Sequence, residues 1–341
     1  MKMYDVKEVY RADERRYDDM EYRRCGRSGV LLSAVALGLW HNFGGYDVYD
    51  NARDIIRRAF DLGVTYFDLA NNYGPPFGSA EETFGRILHQ DFSPYRDELF
   101  IATKAGYTMQ PGPYGRGGSR KYLLASLDAS LKRMRLDYVD LFYHHCMDPE
   151  TPLEESMGAL AQAVHSGKAL YVGLSNYSPE QAEKAVKLLD SMGVHCLIEQ
   201  SRYNMTVRDP ERGLLSVLRE KGVGFAAFSP LAQGILTGKY NRGIPQDSRL
   251  HGKSIYLTEE KLTSVIERTR RLGQLAGEAG LQLTELALRW VLRDSAVTTL
   301  IVGARTPEQL EENVRAVEAG QLDPELLGRI DDILAQTDPM C

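Results

Sequence analysis

The chain has 341 residues, of which 43% are apolar and 26% charged, with a formal net charge of −6. That balance supports a sizeable core and does not indicate disorder, and the acidic excess argues against a nucleic-acid partner, which demands a basic face, while local basic clusters can still bind an anionic small molecule. The 4 cysteines contain no CxxC pair and are too sparse for a disulfide framework, which suits a reducing compartment.

Residues 1–20 contain no apolar run of the secretory kind, and the longest apolar stretch, Val30 to Trp40, is too short to span a bilayer. A cytoplasmic protein without membrane contact is therefore expected. Residues Glu21–Ser33 read as a hairpin turning at Gly26-Arg27-Ser28-Gly29. After it come eight short runs rich in β-branched and aromatic residues: Ala34–Leu39, Thr65–Ala70, Leu99–Lys104, Tyr138–His145, Ala169–Asn176, Cys196–Tyr203, Val223–Leu231 and Thr298–Ala304. All but the last start about 30 residues after their predecessor, the length of one βαβ unit. Their near-continuous apolar character suits parallel strands covered by helices, and eight such units predict an α/β fold, the closed (β/α)₈ TIM barrel. The expected organisation is an N-terminal segment, 1–20, followed by a single barrel domain over 21–341.

The intervening helices carry readable punctuation. Ser79-Ala80-Glu81-Glu82 and Ser178-Pro179-Glu180-Gln181 read as capping boxes, the second helix stopping at Gly193. Ser119 opens a helix on which Leu123, Leu127 and Leu131 share one face. The step from the seventh to the eighth run exceeds one βαβ unit: it holds a long loop, about 232–257, and then two helical stretches, one of them an extra helix; such loops usually bind ligands.

Familiar nucleotide and metal motifs are missing. No GxGxxG follows a strand, and Gly234–Tyr240 resembles a P-loop but is one residue short and lacks the Ser/Thr after Lys239. Gly112–Gly118, flanked by Arg116 and Arg120, reads as a flexible loop or a phosphate cradle. His144, His145 and Cys146 are adjacent on a strand, so their side chains alternate between faces and cannot converge on one ion. No metal is expected.

Barrel enzymes carry their chemistry at the C-terminal ends of the strands. Asp68, Lys104 and His145 end or nearly end three of the runs, and Tyr73 follows in the loop Asn71-Asn72-Tyr73-Gly74. Singly, such residues are structural ion pairs or core histidines. Together they make a proton-donor set, in which an ammonium favours loss of the tyrosine proton, a carboxylate holds the ammonium, and an imidazole orients a carbonyl. Strand parity alone leaves His144 and His145 both open. At the far end of the chain, Thr306-Pro307-Glu308-Gln309 reads as a capping box opening a helix after the eighth run. With Arg305 beside it, and Lys239 and Arg249 on the long loop, it makes an anion site that suits a 2′-phosphate.

These motifs resemble the aldo-keto reductases. The similarity spans about residues 20–335 and is carried by Phe67-Asp68-Leu69-Ala70-Asn71-Asn72-Tyr73-Gly74, Thr103-Lys104, Tyr138–His145, Val172–Asn176, Gln200, Phe228–Gly234, and Gly303-Ala304-Arg305 through Glu312-Asn313. Within the family they are nearest to the branch of bacterial L-glyceraldehyde-3-phosphate reductases and potassium-channel β-subunits. The resemblance implies a catalytic tetrad of Asp68, Tyr73, Lys104 and His145, which chooses His145 over His144. It implies NADP(H) as cofactor. Ser175, Asn176 and Gln200 would grip the nicotinamide amide, with Phe228 stacked on the ring and Trp40 nearby. Ser229, Pro230, Leu231, Gln233, Gly234, Lys239, Arg249, Gly303, Arg305, Gln309 and Asn313 would hold the rest. Trp40, Tyr73 and His145 would face the substrate, a small aldehyde, phosphorylated or not, such as L-glyceraldehyde 3-phosphate or methylglyoxal. By the same resemblance a homo-oligomer, tetramer or octamer, is expected. The alternative it carries is an NADP(H)-sensing, channel-associated β-type subunit with little turnover.

Overall fold

Alternation along each strand sorts the apolar residues into two layers. The structure, a computed structural model, describes residues 9–240 and 259–335. Eight parallel strands close into a barrel: β3 (Val35–Gly38), β4 (Tyr66–Asp68), β5 (Phe100–Ala105), β6 (Val139–His144), β7 (Ala169–Ser175), β8 (Cys196–Arg202), β9 (Gly224–Phe228) and β10 (Val297–Val302), the last pairing with both β9 and β3. Each lies within or overlaps one of the eight runs read from sequence. Ala36, Tyr66, Ala102, Leu141, Tyr143, Ile198 and Ala226 form a packed inner layer, while Val35, Phe67, Ile101, Phe142 and Val172 face the helices in an outer one. Asp68, Lys104 and Gln200 lie two residues beyond the inner-layer members Tyr66, Ala102 and Ile198. The two-residue period of a strand therefore turns them inward, just above that layer.

The preceding hairpin, β1 (Tyr22–Arg24) paired antiparallel with β2 (Leu31–Ser33), closes the other end of the barrel. Cys25 and Leu32 join the inner layer from below. Gly26 has φ +55°, and a Cβ there would come 2.1 Å from the Gly222 carbonyl oxygen, so only glycine fits this turn. Residues ahead of the hairpin lie on α1 (Tyr49–Asp61): Tyr10 donates to Asp61 Oδ1 at 2.7 Å, and the Arg16 guanidinium sits 4.9 Å from the Phe60 ring.

The outer helices include α2 (Ser79–Ile87), α3 (Arg120–Met134), α4 (Leu153–His165), α5 (Pro179–Ser191) and α6 (Leu214–Lys221). Between β9 and β10 come α7 (Glu259–Glu278) and α8 (Leu283–Leu292), the two expected helical stretches; α9 (Pro307–Glu318) and α10 (Pro324–Ala335) follow β10. Ser119 caps α3, and Ser178 with Gln181 forms a complete capping box on α5. The box expected at Ser79 is absent. Gly78 takes the cap position and Ser79, one residue inside the helix, accepts instead from the Gly45 amide at 2.8 Å. At α9 the Thr306 side chain caps Gln309 N, but the Gln309 side chain accepts from Arg305 N at 2.8 Å rather than from Thr306 N. Among the described residues no helix is long and apolar enough to cross a membrane.

Candidate active site

The inward-turned strand ends meet the loops above them in one cavity of about 1090 Å³. At its floor the Lys104 side chain is fully buried. Its ammonium donates to Asp68 Oδ2 at 2.6 Å, the Leu69 carbonyl at 2.7 Å and the Tyr73 hydroxyl at 3.3 Å, using all three of its protons. Asp68 Oδ1 accepts from Gln200 Nε2 at 2.9 Å and from the Tyr66 hydroxyl at 3.2 Å. Burial pulls the Lys104 pKa below its ordinary value, and the adjacent Asp68 carboxylate opposes that shift. The arrangement is a desolvated ion pair whose remaining donor bond points at a phenol.

Tyr73 is held between rings. The Trp40 ring lies 6.2 Å away and stacked, and the His145 ring lies 6.0 Å away, edge-on. Burial, then the Lys104 and His144 charges, holds the His145 pKa well below 6.5, so its imidazole is neutral at neutral pH. The parity left open in the sequence is resolved by the fold. His145, one residue beyond β6, lines the cavity. His144 turns outward, its Nδ1 2.5 Å from the Tyr177 hydroxyl.

The cavity extends from this floor to the start of α9. Ser175, Asn176 and Gln200 line it from β7 and β8; Phe228, Ser229, Pro230, Leu231, Gln233, Gly234 and Lys239 from β9 and the turn after it; Gly303, Arg305 and Gln309 from β10 and α9. Ser229, Ala232 and Gln233 adopt left-handed conformations with φ +53°, +47° and +57°. Such conformations cost non-glycine residues energy and are commonly stored at ligand clamps. The turn is pinned by Asn204, whose Nδ2 donates to the Ser229 carbonyl at 2.9 Å. Two expected residues stand off the wall. Lys104 lies behind Asp68 and Tyr73, and Asn313 is buried on α9. Arg249 lies outside the described residues.

The phosphate cradle read into Gly112–Gly118 does not form at the cavity. Arg120 sits at the start of α3 and donates to the Gly158 carbonyl at 3.3 Å and Gln162 Oε1 at 2.8 Å, on the surface of α4. Arg116 is exposed and not part of the wall. What the loop contributes instead is Tyr107, edge-on to His145 at 4.6 Å, and Thr108. The loop is anchored where Asp148 accepts from Gly118 N at 2.8 Å and Tyr122 donates to the Tyr107 carbonyl at 2.6 Å. Sequence reasoning also passed over His41, Asn42, Asn72 and Phe77, which complete the rim near Trp40. The only signal for them was their place in loops that follow strand ends.

The model of the aldo/keto reductase family matches residues 34–335. The chain belongs to this family. It is 55% identical over 332 residues to the L-glyceraldehyde 3-phosphate reductase of Escherichia coli (strain K12), covering 96% of each chain. It is 38% identical over 329 residues to a putative voltage-gated potassium channel subunit beta of Schizosaccharomyces pombe, covering 93% of this chain and 94% of that one. A probable voltage-gated potassium channel subunit beta of Arabidopsis thaliana is 35% identical over 92% of this chain and 97% of its own. Membership makes the chain an oxidoreductase, and the cavity at the C-terminal ends of the strands is where such a barrel keeps its chemistry.

Proposed function

We propose that this protein reduces small aldehydes to alcohols with NADPH, L-glyceraldehyde 3-phosphate and methylglyoxal among them, with Tyr73 as general acid. The observation that carries the reading is the buried Lys104 ammonium bonded at once to Asp68 and to the Tyr73 hydroxyl beside a neutral His145. A phenol that loses its proton next to an ammonium leaves a stabilised phenolate, so Tyr73 can protonate a carbonyl oxygen at neutral pH. His145, as a neutral imidazole, donates one N–H to the same oxygen and orients it without competing for the proton. Trp40 and Tyr107 wall the space above Tyr73 and His145 and keep water from the reacting carbon.

The residues present suit a dinucleotide. When bound, NADPH supplies the hydride that reduces the carbonyl carbon. Gln200 presents Nε2 to Asp68, because a carboxylate only accepts, and its amide is thereby held in one orientation for a carboxamide. Asn176 is fixed likewise by Nδ2 donating to the His145 carbonyl at 3.1 Å. Gly234 leaves room for Lys239: a Cβ there would meet Lys239 Cε at 2.7 Å. Lys239, Arg305 and the capped N-terminus of α9 would hold phosphate, the charge of Arg305 favouring NADP over NAD. L-glyceraldehyde 3-phosphate comes from the name of the relative at 55% identity.

The test follows NADPH absorbance while offering L-glyceraldehyde 3-phosphate and methylglyoxal to the wild type and to Tyr73→Phe. Turnover that the variant loses supports the reading. Tight NADPH binding without turnover of either aldehyde would overturn it and favour a sensing subunit, the class named by the relative at 38% identity.

A further inference from the structure

Beneath the Tyr73–Lys104–Asp68 set the barrel holds two hydroxyls that the chemistry above does not use. Tyr66 on β4 and Tyr143 on β6 are both 0% exposed. The Tyr66 hydroxyl lies 3.2 Å from Asp68 Oδ1 and 2.8 Å from the Tyr143 hydroxyl. A carboxylate has no proton to give, so Tyr66 commits its single proton to Asp68 and accepts from Tyr143. The direction of the chain is thereby fixed: Tyr143 to Tyr66 to Asp68. Burial and the Asp68 charge raise both phenol pKa values well above the ordinary range, with the Tyr143 phenol adding to the shift on Tyr66, so the chain stays protonated across working pH.

Tyr143 acts on the other partner too, its ring lying 5.6 Å below Lys104 Nζ with its face toward the ammonium. The fold makes room for that ring. Tyr143 pairs in register with Gly173 of β7, and a Cβ on Gly173 would come 2.6 Å from Tyr143 Cε1 and 2.8 Å from the Ile198 carbonyl. Gly173 has no positive φ to account for it; its missing side chain is filled by the tyrosine. Two phenylalanines would fill the same inner layer without burying hydroxyl groups that need partners. The hydroxyls therefore point to a role toward Asp68.

Resting on the reductase reading, we propose that Tyr66 and Tyr143 are positioning residues for proton donation: their hydroxyl chain holds Asp68 Oδ1, so that Oδ2 stays on Lys104 and the lysine stays charged beneath Tyr73. Without the Tyr66 proton, Asp68 keeps only Gln200 on that oxygen. Its affinity for a proton rises, it draws the shared proton from Lys104, and less positive charge reaches Tyr73. The other groups facing the pair are His145, held neutral, and Glu81, which acts on Lys104 but is itself bonded to Arg133 at 2.7 Å.

The test compares Tyr66→Phe, Tyr143→Phe and Gly173→Ala with the full-length wild type. Three readouts are taken: kcat and KM across pH, melting temperature, and ultraviolet titration of the tyrosinate band with Tyr73→Phe as blank. A bond to a charged group is worth about 1.5–3 kcal/mol, so Tyr66→Phe should lower kcat roughly tenfold to a hundredfold. It should also move the alkaline limb of kcat and the Tyr73 titration to higher pH, leaving KM for NADPH within about twofold. Tyr143→Phe keeps the Tyr66–Asp68 bond and should shift both in the same direction by less. A lowered melting temperature with the wild-type limb and titration would reduce the tyrosines to packing and overturn the proposal. Should Tyr66→Phe not fold, an unshifted Tyr73 titration in Tyr143→Phe and Gly173→Ala would overturn it equally. The titration needs no aldehyde, so an inactive wild type would refute the reductase reading while leaving this test in force.

Discussion

Replacing Lys104 by methionine removes the cation from the floor of the site while nearly keeping its shape. The ammonium lies 3.3 Å from the Tyr73 oxygen, so at an effective dielectric of about 20 its attraction for a full phenolate charge is about 5 kcal/mol. If the proton is about half transferred at the transition state, about 2.5 kcal/mol of that is lost, a roughly 70-fold fall in kcat. The same change strands the Asp68 carboxylate in the core, and breaking a buried pair on one side costs about 3–5 kcal/mol. With an unfolding entropy of about 2.1 cal/mol/K per residue over 341 residues, that lowers Tm by about 4–7 °C. Adding Asp68→Asn separates the two effects. Replacing both members of a buried pair is often neutral, so Tm in the double variant should return most of the way while kcat stays down. Steady-state kinetics at saturating NADPH and aldehyde, beside thermal unfolding of both variants, makes the comparison. A Lys104→Met enzyme that keeps kcat within about threefold of the wild type would refute the electrostatic role of the lysine.

Further outcomes follow from the same geometry. Burial lowers the His144 pKa from 6.5 to about 4, so the unfolded chain binds a proton there that the folded one does not. Stability from this group is present above pH 6.5 and is lost as pH falls toward 4. His144→Gln should flatten that part of a plot of denaturation midpoint against pH, and an unchanged slope would contradict the assignment. Glu199 behaves oppositely. Burial raises its pKa to about 8, so its stability contribution is full below its unfolded value of 4.5 and is lost as pH rises through 8. Glu199→Gln should therefore raise Tm at pH 9 and leave it nearly unchanged at pH 4, and equal shifts at both would count against the reading. On the proposed NADPH reading, Arg305→Ala removes one charge-assisted contact worth about 1.5–3 kcal/mol and should raise the NADPH dissociation constant roughly tenfold to hundredfold. Calorimetric titration with NADPH and NADH checks this, and an equal loss for both cofactors would argue against a 2′-phosphate contact.

The parts of the fold legible in the sequence were those written in local period. The eight barrel strands, the hairpin at Gly26 and the cap at Ser178 each depend on neighbours within a few residues. Strand parity alone could not choose between His144 and His145, because it does not say which alternate set faces inward; the closed barrel puts Leu141 and Tyr143 in the inner layer, so His145 follows them inward and His144 turns out toward Tyr177. Ser79 shows the same limit: its cap pattern was sound, but a distant amide, Gly45, took its hydroxyl. Tyr107 reaches the site because Asp148 and Tyr122 tie down its loop. Such long-range bonds leave no periodic trace. Tyr66 and Tyr143 read as strand aromatics, and nothing short of the closed barrel brings their hydroxyls to Asp68.

Isotope transfer follows the proposed hydride from cofactor to aldehyde directly. The enzyme is incubated with L-glyceraldehyde 3-phosphate and NADPH deuterated on the nicotinamide C4, on each face in turn, and the product is weighed by mass spectrometry. One of the two labelled faces should yield an alcohol carrying one deuterium at the former carbonyl carbon, with formation strongly slowed in Tyr73→Phe. Unlabelled alcohol from both faces, or label transfer at the wild-type rate without the Tyr73 hydroxyl, would contradict it.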